Sequence, residues 1–107
     1  FNTPKGLIDL IRSRDFGRFK HPVSEDVPVA ILYDLDTTGG NSGSPVMNAR
    51  GELVGVNFDR AFEATINDYA WSESYSRSIA VDIRYVLWVT SRFAGADHIL
   101  KEAGVAP

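Results

Sequence analysis

The sequence predicts a mainly β fold with a C-terminal helix, and three observations carry that expectation. Short apolar runs around Val29–Tyr33, Val46, Leu53–Phe58 and Ile79–Val81 are separated by Gly, Asn, Ser and Asp, the residues of turns. Two of the runs are joined by Asn48-Ala49-Arg50-Gly51, a hairpin connection. Apolar residues at helical spacing occur near the two ends of the chain, after Thr3-Pro4 and after Asp82.

In chain order, Thr3-Pro4 offers a capping hydroxyl followed by proline at the first helical position. Leu7, Ile8, Leu10 and Ile11 form one apolar stripe and Gly17 offers a stop, so residues 4–14 read as an amphipathic helix. Residues 20–26 are polar and turn-like, with Pro22 among them. Helix and linker make a first region, 1–26, and residues 27–107 a second. Strands are expected at 28–33, 45–47, 52–58 and 78–81. Gly55, between Val54 and Val56, reads as a point where a missing side chain admits another backbone. The segment 59–76 is long, and Phe62, Tyr69, Trp71 and Tyr75, with Phe58 just before it, favour an ordered loop. Asp82 is expected to cap a helix through Phe93, with Val86, Leu87, Val89, Thr90 and Phe93 facing inward. A last short helix over 97–103 ends at Gly104.

A chain of 107 residues holds at most one domain with a modest core. Its 44% hydrophobic and 23% charged residues are the make-up of a soluble globular protein. A formal charge of −3 gives no electrostatic case for nucleic acid or an anionic membrane as partner. No stretch reads as a transmembrane span or a signal peptide, and a start at Phe1 suggests a piece of something longer. Without cysteine there is no disulfide or thiol chemistry, and two scattered histidines, His21 and His98, make no metal-ligand cluster. No metal or cofactor is expected.

Between the first two strands lies Asp36-Thr37-Thr38-Gly39-Gly40-Asn41-Ser42-Gly43-Ser44-Pro45. Its glycines permit positive φ and expose backbone N–H groups without a Cβ in the way. A serine in such a loop suits acyl transfer, because neighbouring N–H groups can receive the developing oxyanion. The same composition is equally that of a plain turn. No lysine follows the glycines, which removes a phosphate-binding P-loop, and Ser44 breaks the Gly-x-Ser-x-Gly elbow of α/β-hydrolases.

The order Gly40-Asn41-Ser42-Gly43-Ser44-Pro45, followed by a strand, resembles the nucleophile loop of chymotrypsin-fold serine peptidases, Gly-Asp-Ser-Gly-Gly-Pro. The match implies Ser42 as nucleophile and the N–H groups of Gly40 and Ser42 as oxyanion hole. Asn41 stands where the trypsin-like branch has an aspartate that pairs with a newly cut N-terminus, so that activation switch is not expected. A narrower resemblance rests on three blocks: residues 37–48, residues 51–59 (Gly-Glu-Leu-Val-Gly-Val-Asn-Phe-Asp) and residues 78–87 (Ser-Ile-Ala-Val-Asp-Ile-Arg-Tyr-Val-Leu). Together they look like the C-terminal part of the bacterial dipeptidyl-peptidases of the S46 family, over nearly the whole chain. These are exopeptidases that release dipeptides from free N-termini in the periplasm or at the cell surface of Gram-negative bacteria.

That resemblance implies the C-terminal part of a chymotrypsin-like double β-barrel, residues 27–107 contributing part of the second barrel and its closing helices. The base and its orienting carboxylate then lie upstream, neither His21 nor His98 matches a catalytic position, and the chain alone is expected to be inactive. The strand after the hairpin runs along the substrate, which draws Asn57, Phe58, Asp59 and Arg60 into substrate binding. Asp59 matches the family residue that binds the substrate's free α-amino group. Arg60 occupies the position that separates the family's branches: glycine there accompanies bulky apolar P1 residues, arginine accompanies Asp or Glu. A guanidinium meets a carboxylate as a bidentate fork. Taken without the resemblance, Asp59-Arg60 also reads as a solvated strand end.

Two other readings stay open. Asp36 stands six residues before Ser42, the spacing of trypsin's P1-binding carboxylate, and points to a trypsin-like endopeptidase with Lys or Arg at P1. The chain could also come from a degenerate peptidase kept as a binding module. Expected partners are peptides with a free N-terminus and, because four strands leave a barrel with open edges, a second copy of the chain in a homo-oligomer.

Overall fold

The computed structural model describes residues 2–61 and 76–105. The segment that was expected to form an aromatic loop, with Phe62, Tyr69, Trp71 and Tyr75, lies outside the described residues apart from its two ends. The described chain divides into two compact units, the sheet unit Val29–Ile83 and a helical unit from Phe1–Pro28 with Arg84–Pro107. The units therefore do not follow the linear division at 26/27: the C-terminal helices group with the N-terminal one. For the same reason "mainly β" understates the helices, which have a core of their own.

The sheet unit holds four strands, β1 (Ala30–Tyr33), β2 (Pro45–Met47), β3 (Leu53–Arg60) and β4 (Ser78–Asp82), in the order β1-β4-β3-β2 with every neighbouring pair antiparallel. β1 begins two residues later than expected, beyond Pro28, which has no N–H to give, and Val29, whose carbonyl accepts the Asp82 N–H at 2.9 Å. The β2–β3 hairpin closes as the turn residues dictate. Asn48 Oδ1 accepts the N–H groups of Arg50 and Glu52 at 2.9 and 3.1 Å, and Gly51 takes φ +77.

β3 is longer than expected and carries a bulge. Gly55, Val56 and Asn57 pair with Asp82, Val81 and Ala80; the next pairs are Asp59 with Ile79 and Arg60 with Ser78, leaving Phe58 as the extra residue. Side chains alternate along β4, so Asn57 and Arg60, opposite Ala80 and Ser78, share one face, and Asp59, opposite Ile79, shares the other with Val56. In an unbroken strand Asp59 would share the Asn57 face and Arg60 would not.

In the helical unit, α1 (Lys5–Ser13) starts one residue later than expected. Pro4 is its extended N-cap, its carbonyl accepting the N–H groups of Leu7 and Ile8, and the Thr3 hydroxyl makes no cap. The helix ends at Arg14, which takes the left-handed conformation (φ 56) while the Asp15 N–H returns to Leu10 O; Gly17 serves in the turn Gly17–Phe19 instead. α2 (Ile83–Trp88) continues as a π-helical turn over Val89–Phe93, and α3 (Asp97–Glu102) is followed by Gly104 at φ +78, the expected stop.

Of the residues expected to face inward, Leu87 and Val89 pack against the core, whereas Phe93 is exposed; Trp88 and Ser91, which were not expected there, are buried. Trp88 packs edge-on against Phe16 (ring centroids 5.6 Å apart), joins Phe19 and Leu100 in the core, and donates its indole N–H to Asp15 O at 2.7 Å. Among the described residues no helix is long and apolar enough to cross a membrane.

Gly55 is the close approach that its sequence context suggests. A Cβ there would lie 2.8 Å from Val81 O, 3.1 Å from the Ala80 Cβ and 3.2 Å from the Ile31 Cδ1. Gly55→Ala in the full-length protein is expected to cost about 1–3 kcal/mol through overpacking. Denaturant unfolding checks this, and an unchanged midpoint would refute the close approach.

Candidate active site

The loop between β1 and β2 is braced from within by Asn41. Its side-chain Oδ1 accepts the Thr38 N–H at 2.8 Å, its own N–H donates to Thr38 O at 3.2 Å, and its carbonyl accepts the Ser44 N–H at 3.0 Å. Gly40 and Gly43 take φ values of +98 and +88, a region that a residue with a Cβ enters only under strain. β3 then holds the loop: the Gly43 N–H donates to Asn57 O at 2.7 Å, and the Asn57 N–H donates to Ser44 O at 2.9 Å.

Ser42 is left at the exposed tip, its hydroxyl making a long 3.4 Å contact with Phe58 O. Among the described residues, the N–H groups of Gly40 and Ser42 have no acceptor. An exposed serine hydroxyl in a loop whose N–H groups at Gly40 and Ser42 are unused is compatible with acyl transfer, for which a base and its orienting carboxylate would also be required.

Beside Ser42 is a cleft of about 150 Å³ whose lining includes Thr37, Asn57, Phe58, Asp59 and Arg60. Of the residues singled out in the sequence, Ser42, Asn57, Phe58, Asp59 and Arg60 line it; Gly40 does not, although its neighbour Gly39 does. Arg60 donates from Nη1 to Thr37 O at 3.4 Å, and its backbone N–H donates to Asp59 Oδ1 at 2.8 Å. Thr37 is held in turn, its hydroxyl 2.6 Å from that of the fully buried Ser78, which donates to Leu35 O at 2.9 Å. The chain on one side of the cleft is thus fastened to β4.

Asn57 differs from its neighbours. It is only 5% exposed, and its side-chain amide is used inside the protein, Nδ2 donating to Asn41 O at 3.2 Å and Oδ1 accepting the Tyr33 hydroxyl. Burial raises the pKa of the Tyr33 phenol, an effect opposed in part by its hydrogen bond with Ser78, so the phenol remains a donor at neutral pH. Tyr33 and Thr37 were not legible as site residues. Their only signals were a tyrosine at a strand end, whose hydroxyl needs a partner, and a threonine opening the glycine-rich run.

Asp36 lines a separate cavity of about 180 Å³ with Tyr33, Asn41, Ser44 and Asn57, and Ser42 is not in that lining. The two histidines belong to the helical unit. His21 closes its own turn, Nδ1 accepting the N–H groups of Val23 and Ser24 at 3.1 and 3.4 Å, and His98 is exposed on α3.

Residues 1–105 match the family described as Peptidase S46. The chain belongs to the peptidase S46 family. The family is of serine type, which agrees with a serine at the tip of the braced loop. The S46 chain is 44% identical over 102 residues to an Asp/Glu-specific dipeptidyl-peptidase of Flavobacterium psychrophilum and 45% identical over 104 residues to a dipeptidyl-peptidase 7 of Capnocytophaga gingivalis. Each alignment covers 95% of this chain and 14% of the relative. The crystal structure of Porphyromonas endodontalis DPP11 in complex with the dipeptide Arg-Asp matches with a TM-score of 0.89 at 42% identity, over 94% of this chain and 14% of that one. The S46 chain therefore spans about 14% of the length of the relatives it matches, and its antiparallel sheet with flanking helical segments is an arrangement it shares with DPP11.

Proposed function

We propose that this chain supplies the nucleophile and the specificity strand of a serine exopeptidase that releases N-terminal dipeptides with Asp or Glu at P1. The observation that carries the reading is the sharing of one cleft by Ser42, Asp59 and Arg60, with the bulge at Phe58 directing the two charges to opposite faces of β3. Ser42 Oγ attacks the carbonyl of the substrate's second residue, passing its proton to a histidine supplied from outside this chain. The tetrahedral oxyanion is received by the N–H groups of Gly40 and Ser42, the amine leaves with that proton, and water hydrolyses the acyl-enzyme. The rest of the proposed chymotrypsin-like double barrel carries the histidine and its aspartate, so the chain by itself is inactive.

Arg60 recognises a P1 carboxylate with its planar fork, and Asp59 takes the substrate's α-ammonium group, which fixes the cut two residues from the N-terminus. The Arg-Asp dipeptide seen bound to DPP11 supports this choice of P1. Overall identity does not select it, since a dipeptidyl-peptidase 7 is equally similar, so Arg60 bears the specificity argument. Asp36 is not favoured as a P1 partner because it borders the other cavity. A periplasmic or cell-surface location goes with the proposed activity.

Three outcomes are expected of the full-length protein. Fluorophosphonate labelling followed by peptide mapping finds the adduct on Ser42; an adduct on another serine, or none in an active preparation, refutes the nucleophile and a total lack of reaction returns the binding-module reading. Removing one partner of a buried charge pair costs about 2–5 kcal/mol and ~1.4 kcal/mol is a factor of ten, so Arg60→Gly loses at least about tenfold in kcat/KM on substrates with Asp or Glu at P1. Apolar P1 substrates lose less or gain, whereas a wild-type preference for Lys or Arg overturns the assignment. Acetylating the substrate N-terminus nearly abolishes cleavage; equal rates on blocked and free substrates would remove Asp59 from its role.

A further inference from the structure

Asn57 was expected among the substrate-binding residues, but its side chain is occupied by the protein itself. Its N–H goes to Ser44 O, its carbonyl takes the Gly43 N–H, Nδ2 reaches Asn41 O and Oδ1 takes the Tyr33 hydroxyl. Three of these four bonds end on the serine loop. We infer that Asn57, supported by Tyr33, is a positioning residue that sets the direction of the Ser42 N–H, one donor of the oxyanion hole; the inference rests on Ser42 being the nucleophile.

The geometry follows from the planarity of the peptide. The Asn41 carbonyl and the Ser42 N–H belong to one trans peptide unit and point in opposite directions. Two donors hold that carbonyl, the Ser44 N–H at 3.0 Å and Asn57 Nδ2 at 3.2 Å. With the oxygen drawn toward Asn57, the Ser42 N–H is turned away from it and out of the loop interior. If the peptide rotated, the N–H would be withdrawn from the oxyanion.

The Asn41 carbonyl, which can only accept, fixes which end of the Asn57 amide faces the loop, and Tyr33 completes the arrangement at the other end. A phenol that stays protonated donates to Oδ1, and this leaves Nδ2 for Asn41 O. The opposite amide orientation would set two carbonyl oxygens against each other. Burial of Asn57 denies its amide the alternative of water, so the orientation is enforced.

Asn57→Asp in the full-length protein is the test, because it keeps size and the acceptor for Tyr33 but replaces the donor to Asn41 O. Removing an oxyanion-hole donor costs about 10²–10³ in kcat, so misdirecting one is expected to lower kcat by about tenfold or more. KM for an Asp-P1 dipeptidyl substrate should stay within about twofold, the pattern of an interaction made in the transition state. A peptide aldehyde, whose hemiacetal oxygen occupies the hole, should lose affinity by the same factor as kcat, while the product dipeptide binds as before. Tyr33→Phe should shift kcat and aldehyde affinity in the same direction by a smaller factor, and it decides alone if Asn57→Asp does not fold.

A rise in KM with unchanged kcat, or weaker product binding, would make Asn57 a substrate contact and overturn the inference. So would unchanged kcat and aldehyde affinity in folded variants. Fluorophosphonate labelling of the wild type separates the two failures. A labelled Ser42 with unaffected variants sinks this inference alone, and an unlabelled Ser42 in an active preparation sinks the proposed function with it.

Discussion

Two backbone hydrogen bonds between β3 and the serine loop, from the Gly43 N–H to Asn57 O and from the Asn57 N–H to Ser44 O, are the constraint on which the site depends. They extend the β2–β3 pairing past Pro45, where the chain would otherwise be free to leave the sheet. β3 lies between β2 and β4, so a loop fastened to it is fastened to the middle of the sheet. Ser42 comes just before the anchored residues and is held at the tip although its own side chain has only one long contact. The exposure of Ser42 and the ordering of its loop are thus the work of different residues.

The second constraint is the bulge at Phe58. One unpaired residue reverses the alternation of β3, so Arg60 shares the face of Asn57 while Asp59 shares that of Val56. The Arg60 guanidinium consequently reaches Thr37 O, on the far side of the cleft, and Thr37 is tied through Ser78 to Leu35 O.

The helical unit uses different physics. Its core is small, built from Phe16, Phe19, Trp88 and Leu100, and an indole N–H to Asp15 O gives Trp88 a polar partner that its burial would otherwise deny it. Among the described residues, those lining the Ser42 cleft all come from the sheet unit.

Features governed by local chemistry were legible in the sequence. The Asn48–Gly51 turn, the glycine-rich serine loop, the close packing at Gly55 and the stop at Gly104 all follow from what a few adjacent residues can do. Asp59 and Arg60 could be singled out by family resemblance, and the cleft does bring them beside Ser42. Other features depend on residues far apart in the chain. The left-handed stop at Arg14 came before the glycine that advertised one, because backbone closure onto Leu10 and Ile11 needs no glycine where the next residues turn into a core. Leu87 and Val89 pack on the core as the periodicity suggested, but in the π turn Val89–Phe93 it is Ser91 that is buried and Phe93 that is exposed. The helices at the two ends joined one unit because a chain position says nothing of which apolar faces will find each other. The role of Asn57 was also hidden. An asparagine on a strand is equally suited to a substrate and to a loop, and only Tyr33 at one end of its amide and Asn41 at the other show that both ends are bonded within the fold.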